Sequence, residues 1–140
     1  MQRGAYVILG DTDYKLTLVS TGGDLYRAVN AAKMLTEAGT PTRVVSMPCM
    51  RKFEEQEEAY QREVFPWDGR PVVSYEAMST HGWAKYATAS IGHNSFGTTV
   101  EAQHVYPHFK LTEQDIVRRV NDYLAEIGDK NAHLVPWKNI

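Results

Sequence analysis

Apolar and polar residues change their period several times in this sequence, and each change marks an element. Residues 16–20 (Leu-Thr-Leu-Val-Ser) form a short β-rich run that ends in Thr21-Gly22-Gly23-Asp24. From Leu25 the period lengthens: Leu25, Ala28, Val29, Ala32 and Leu35 fall at helical spacing and make one apolar stripe. Asp24 is a candidate N-cap, and Gly39 sits where a left-handed C-terminal cap belongs. Residues 42–47 read as a second strand stopped by Pro48, and residues 53–64 as one charged helix closed by Pro66. Residues 71–75 (Pro-Val-Val-Ser-Tyr) read as a third strand, with proline at its first position, where the missing N–H is tolerated. A short helix over 83–89 and a very short strand over 90–92 are expected before the loop at 93–97. In the final helix, Thr112 and Asp115 approximate a capping box, and Ile116, Val117, Val120, Tyr123, Leu124 and Ile127 make the buried stripe that Gly128 ends. Residues 1–13 read as an N-terminal arm or hairpin rather than a core strand, and 129–140 as a tail without periodicity, tacked down by Trp137.

Strands alternating with helices pair in parallel through right-handed crossovers. The pattern therefore predicts an α/β fold, a three-layer α/β/α sandwich on a mostly parallel sheet of four or five strands, as a single domain over residues 1–140. Ligands of such sheets bind beyond the carboxyl ends of the strands. That rule marks Thr21-Gly22-Gly23-Asp24, Pro48-Cys49, Glu76-Ala77 and Gly92-His93 as the functional edge.

Composition narrows the class. With 43% hydrophobic and 23% charged residues the chain is globular in type, and 140 residues suffice for a core without metal or disulfide staples, but not for several cofactor and substrate domains. Lys and Arg number 15 against 17 Asp and Glu, for a net charge of −2, and no basic stripe accumulates, which argues against nucleic acid as a partner. The acidic run Glu54-Glu55-Gln56-Glu57-Glu58 reads as the wet face of a helix. Cys49 is the only cysteine and has no intramolecular partner, and no apolar run approaches the ~18 residues of a membrane span. The expected location is the cytoplasm, or an organelle if an import segment is missing from this sequence.

Candidate chemistry gathers at the predicted edge. The strand, Gly-Gly turn and helix at Thr21, Gly22, Gly23 and Asp24 can offer backbone N–H groups to a small anionic ligand, although the Asp24 carboxylate would compete for them. Cys49 follows a strand end and could pair with His81 or His93 for covalent catalysis; the alternative is a buried, inert thiol. Glu76 ends a buried strand, where a carboxylate needs a partner, and is either an acid/base candidate or bonded to a neighbouring helix N-terminus. His104 and His108 have helical metal-ligand spacing, but Pro107 lies between them and no third ligand is near, so no metal site is expected. The aromatic residues Trp83, Tyr86, Phe96, Tyr106 and Phe109 are either core or, with His81 and Lys85, a face for a partner domain or second subunit.

The segments also follow one another in a familiar order. Arg3-Gly4-Ala5-Tyr6-Val7 opens it, then Ser20-Thr21-Gly22-Gly23-Asp24 with Val29 and Ala32, Arg43-Val44-Val45-Ser46-Met47-Pro48, Phe53 with Gln56, and Tyr60-Gln61-Arg62-Glu63-Val64-Phe65-Pro66. Val73-Ser74-Tyr75-Glu76, Trp83-Ala84-Lys85-Tyr86-Ala87, Phe96-Gly97 and Phe109-Lys110-Leu111-Thr112 complete the set. This series resembles the C-terminal domain of the transketolase family, most of all the fungal transketolases and dihydroxyacetone synthases. Where the family reads Phe-Gly-x-Ser-Ala-Pro, this chain departs with Phe96-Gly97-Thr98-Thr99-Val100-Glu101, which fits a divergent paralogue. The resemblance implies transfer of a two-carbon ketol unit with thiamine diphosphate and a divalent metal, both held by an N-terminal domain and activated from a middle domain. It implies for this domain no bound cofactor and no catalytic residue of its own. The implied role is scaffold and dimer contact, with the family's N-terminal and middle domains or a second copy of itself as partners and His81, Trp83, Lys85 and Tyr86 as the interface. The alternatives are a small-molecule enzyme using Glu76, His81, His93 or Cys49, and a binding module for an anionic metabolite at Gly22-Gly23.

Overall fold

The sheet begins with β1 (Tyr6–Leu9), and every residue of the next three strands, β2 (Leu16–Ser20), β3 (Thr42–Ser46) and β4 (Val72–Tyr75), is buried. Continuous burial is what strands covered on both faces require. The computed structural model describes residues 2–10 and 12–140; Met1 and Asp11 of the N-terminal arm lie outside the described residues. Helix α1 (Leu25–Glu37) links β2 to β3 and buries Ala28, Ala31, Ala32 and Leu35. Helices α2 (Met50–Glu54) and α3 (Glu58–Val64) lead to β4, and β5 (Ala89–Ile91), α4 (Ala102–His108), α5 (Glu113–Ile127) and β6 (Lys138–Asn139) follow. The strands lie in the order β1-β3-β2-β4-β5-β6, parallel throughout except β1, which runs antiparallel to β3.

Neighbouring strand residues face opposite layers. Leu18, Val44 and Val73 pack with Ala28, Leu35, Ile116 and Val120 of α1 and α5. Val19, Val45 and Val72 face the other way, onto Phe53, Val64, Phe65, Trp83 and Tyr86. Three layers follow directly, as expected from the sequence.

Several expectations change. The sheet has six strands rather than four or five, because both terminal segments add one. The N-terminal arm contributes β1, which shifts register between Val7 and Leu9 against β3, and the tail returns to place β6 beside β5, where the Ile140 N–H donates to Ser90 O at 3.0 Å. The charged stretch 53–64 is two helices, not one: Gln56 Nε2 donates to Lys52 O at 2.7 Å and Gln61 Nε2 to Gln56 O at 2.9 Å, so side-chain amides satisfy carbonyls at the break. The helix expected over 83–89 shrinks to a 3-10 turn, Trp83–Lys85, because Thr88 N–H is already drawn to Val72 O at 2.7 Å in the sheet. Gly39 does close α1 with φ +97, and Thr112 and Asp115 form a reciprocal capping box on α5.

Candidate functional site

The carboxyl ends of β2 and β4 meet in one polar junction. Ser20 Oγ donates to Tyr75 O at 2.6 Å and closes the two strand ends together. The chain then turns through a 3-10 segment, Gly22–Asp24, into α1. Asp24 makes no side-chain cap on α1, against expectation. Its carboxylate has stronger offers: Oδ2 accepts from Ala77 N–H at 2.7 Å and Oδ1 from the Tyr106 hydroxyl at 2.8 Å. One carboxylate thus fastens the loop after β4 and helix α4 to the start of α1. The hydrogen bond to Asp24, with burial, holds the Tyr106 phenol above its ordinary pKa.

Arg27, one turn on, lies 3.8 Å over the Tyr106 ring and pairs with Glu113 of α5 at 3.0 Å. The Tyr75 hydroxyl donates to Leu111 O at 2.7 Å, and burial pushes its pKa far up. Sequence reasoning missed Arg27 and Glu113 and placed Tyr106 only in an aromatic group; 86 and 82 residues separate the paired positions, beyond any local signal.

The remaining edge residues are spread out. Glu76 accepts from the Trp83 indole N–H at 3.0 Å, so its partner is an indole rather than a helix N-terminus. Thr80 N–H donates to Asn94 Oδ1 at 3.0 Å and its hydroxyl to Asn139 Oδ1 at 2.6 Å, which joins the 76–80 loop, the 92–95 loop and β6. Gly92 is needed there: a Cβ would sit 2.6 Å from both Met78 O and Thr80 Cγ2. His93 stacks its ring 3.8 Å from that of Phe109, while its buried Nε2 has no hydrogen-bond partner among the described residues. Cys49 is half-buried where α2 starts, its N–H bonded to Gly4 O at 3.1 Å, and its thiol makes no hydrogen bond to His81 or His93. A Cβ at Gly22 or Gly23 would meet nothing within 4 Å, so the turn faces open space.

The expected aromatic face divides. Trp83 and Tyr86 are 2% and 4% exposed and belong to the core beside Phe53 and Phe65, which corrects their assignment to an outward face of this chain. Burial raises the Tyr86 phenol, and its hydroxyl reaches Glu54, which Lys85 Nζ also contacts at 2.6 Å. Tyr106 and Phe109 pack on the opposite core, and Phe96 is 98% exposed. His81 and Lys85 remain on the surface. His104 pairs with Glu101 at 3.7 Å, His108 lies 4.7 Å from Phe109 ring to ring, and no three His, Cys, Asp or Glu side chains gather for a metal among the described residues. No helix is long and apolar enough to cross a membrane among those residues.

Comparison with known proteins gives this sheet and edge a lineage. A family described as "Transketolase-like TK C-terminal domain" matches residues 4–112. The chain is 40% identical over 117 residues to a transketolase of Kluyveromyces lactis, and 33% identical over 126 residues to a dihydroxyacetone synthase of Candida boidinii. These matches cover 84% and 90% of this chain but only 17% and 18% of those proteins, so the chain spans less than a fifth of the length of the curated relatives it matches. Among solved structures, transketolase from Leishmania mexicana superposes with a TM-score of 0.86 at 36% identity, over 98% of this chain and 20% of that one. A split-gene transketolase, solved as an inactive beta4 tetramer, superposes at 0.68 with 25% identity, over 86% of this chain and 42% of that one. The expected resemblance is thereby established, and the chain belongs to the transketolase family, as a domain of its C-terminal type.

Proposed function

We propose that this domain serves a ketol-transfer enzyme as scaffold and assembly module, and that it does not carry out the transfer alone. The observation that carries this reading is the use of Asp24 and Glu76. Both carboxylates at the ends of the central strands are bonded to Ala77, Tyr106 and Trp83, and so hold loops and helices in place. Asp24 has both carboxylate oxygens engaged and Glu76 has Oε2 engaged, which argues for positioning roles over acid, base or metal-ligand ones. The open turn at Gly22-Gly23 has no wall that would grip a diphosphate, and the carboxylate beside it repels one. These residues do not fit thiamine diphosphate and its metal. In this reading the cofactor and metal belong to N-terminal and middle domains, on the same or a separate chain, and the location is cytoplasmic.

The inactive tetramer of the split-gene transketolase supports a second part of the proposal: the isolated chain associates with copies of itself without gaining activity. Ketol transfer is the test. The 140-residue chain, supplied with thiamine diphosphate, magnesium, a ketose donor and an aldose acceptor, is expected to transfer nothing. Mixing it with a transketolase N-terminal and middle-domain piece is expected to give a complex that co-elutes and turns over. Turnover by the chain alone would overturn the scaffold reading.

A further inference from the structure

Away from the strand-end junction, a cavity of about 340 Å³ opens between α5 and the edge strand β6. Four cations line it, Lys110, Arg118, Arg119 and Lys138, with Asp122 and Glu126 on the same wall. Two of the cations are already matched: Arg118 pairs with Asp115 at 3.3 Å, and Lys138 with Glu126. The side chains of Arg119 and Lys110 have no ion-pair or hydrogen-bond partner among the described residues. Arg119 is half-buried beside Arg118, and burial and that like charge act against its proton more than the Asp115 charge favours it. A cation held in this way raises the energy of the ligand-free domain, and an anion would lower it. Lys110 is placed by the turn between α4 and α5, where it takes the left-handed φ of +55.

We propose that this cavity binds a small phosphate-type dianion, inorganic phosphate or a phosphate monoester, between Arg119 and Lys110. The charges fit that class. Two cations without an ion pair, on separate elements, outnumber Asp122, the lining carboxylate that has no ion pair among the described residues, and they suit an anion with several acceptor oxygens, which a single carboxylate lacks. A guanidinium engages two of those oxygens through its planar fork, and the ammonium supplies a point charge to a third. Asp122 and Glu126 set the upper limit, because a long polyanion tracking the groove would run into both carboxylates. None of these residues belongs to the Asp24 and Glu76 junction, so the site is independent of the scaffold proposal.

The test is a nuclear magnetic resonance titration of the 140-residue chain with inorganic phosphate, against sodium chloride at matched ionic strength. A parallel series uses glycerol phosphate. The Arg119 side-chain Nε–H and the backbone amides of Lys110 and Val120 are expected to shift saturably with phosphate and not with chloride. Arg119→Gln should weaken binding about tenfold or more, and Lys110→Gln by a smaller factor. Arg62→Gln, on the distant helix α3, should leave it unchanged. Lys110 is exposed, so its variant remains informative if Arg119→Gln loses the fold. Tighter binding of glycerol phosphate identifies an ester ligand and tighter binding of inorganic phosphate the free ion; either supports the site. Equal shifts with chloride, no saturation with either phosphate, or unchanged affinity in both cavity variants would overturn it.

Discussion

The Tyr106 hydroxyl donates to Asp24 Oδ1 at 2.8 Å and so joins residues 82 apart in the chain. Because Oδ2 of the same carboxylate takes the Ala77 N–H, removal of Asp24 frees two donors at once. Asp24→Ala is expected to cost about 1–3 kcal/mol, the usual penalty for a partly buried donor left without its acceptor. Tyr106→Phe should cost about 1 kcal/mol, since it removes one bond of the pair. Thermal denaturation measures both, and hydrogen exchange at the Ala77 amide identifies the cause: protection should fall in Asp24→Ala and persist in Tyr106→Phe.

Two glycines should respond very unequally to alanine. Gly4 has φ +83, and a Cβ there would lie 2.3 Å from Phe53 N and 2.5 Å from Cys49 O, both backbone atoms that cannot step aside. Gly4→Ala is expected to destabilise by roughly 3 kcal/mol or more. At Gly23 a Cβ meets nothing, and Gly23→Ala should stay within about 1 kcal/mol of the parent. Urea denaturation separates the two, and a large loss in Gly23→Ala would contradict the open turn described at the sheet edge.

Acid should act through Asp68. Its hydrogen bonds from Arg70, one of them 2.5 Å from Nη2, outweigh burial and hold the carboxyl below its ordinary pKa. A depressed folded pKa means that the pair stabilises fully above the unfolded value of about 3.9, and that this contribution disappears as pH falls through the lower folded value. Asp68→Asn should therefore be less stable than the parent at neutral pH, by no more than about 1 kcal/mol for so exposed a pair. The difference should vanish in strong acid, as urea midpoints across the pH range would reveal.

Alkali should act through tyrosines. Burial raises Tyr75, with the Asp24 charge adding to it, and burial with the Glu54 hydrogen bond raises Tyr86. An unfolded tyrosine ionises near about 10, so the folded chain retains protons that the unfolded chain releases, and stability falls as pH rises beyond that value. Ultraviolet titration should find fewer phenolates before unfolding than in urea at the same pH. Tyr75→Phe should make the alkaline decline shallower.

Elements whose determinants are local were readable from residue order. In α5, Thr112, Asp115 and the apolar stripe lie within a few turns, and the box they predict is present with both bonds at 3.2 Å. The central strands were equally clear, because burial on two faces selects uninterrupted runs such as Leu16-Thr17-Leu18-Val19. Lys138-Asn139 has no such run. Its place depends on backbone pairing with β5 and on the Trp137 indole donating to Ser90 Oγ at 3.1 Å. Asp24 shows the limit most plainly: a local rule made it a helix cap, while two distant donors claimed its carboxylate. The Trp83 and Tyr86 rings were visible as large apolar groups, but which side of the chain they faced depended on Phe53 and Phe65, many residues earlier.

The position of β6 also orders events during synthesis. As the chain leaves the ribosome, β2, β3 and β4 can pair early, but β5 keeps a bare row of backbone groups on its outer side until Lys138 and Asn139 have been made. The interval between those events is the time it takes to translate α4 and α5. For that interval the nascent domain carries a sticky margin, and Thr80, Asn94 and Asn139 cannot be joined until it closes.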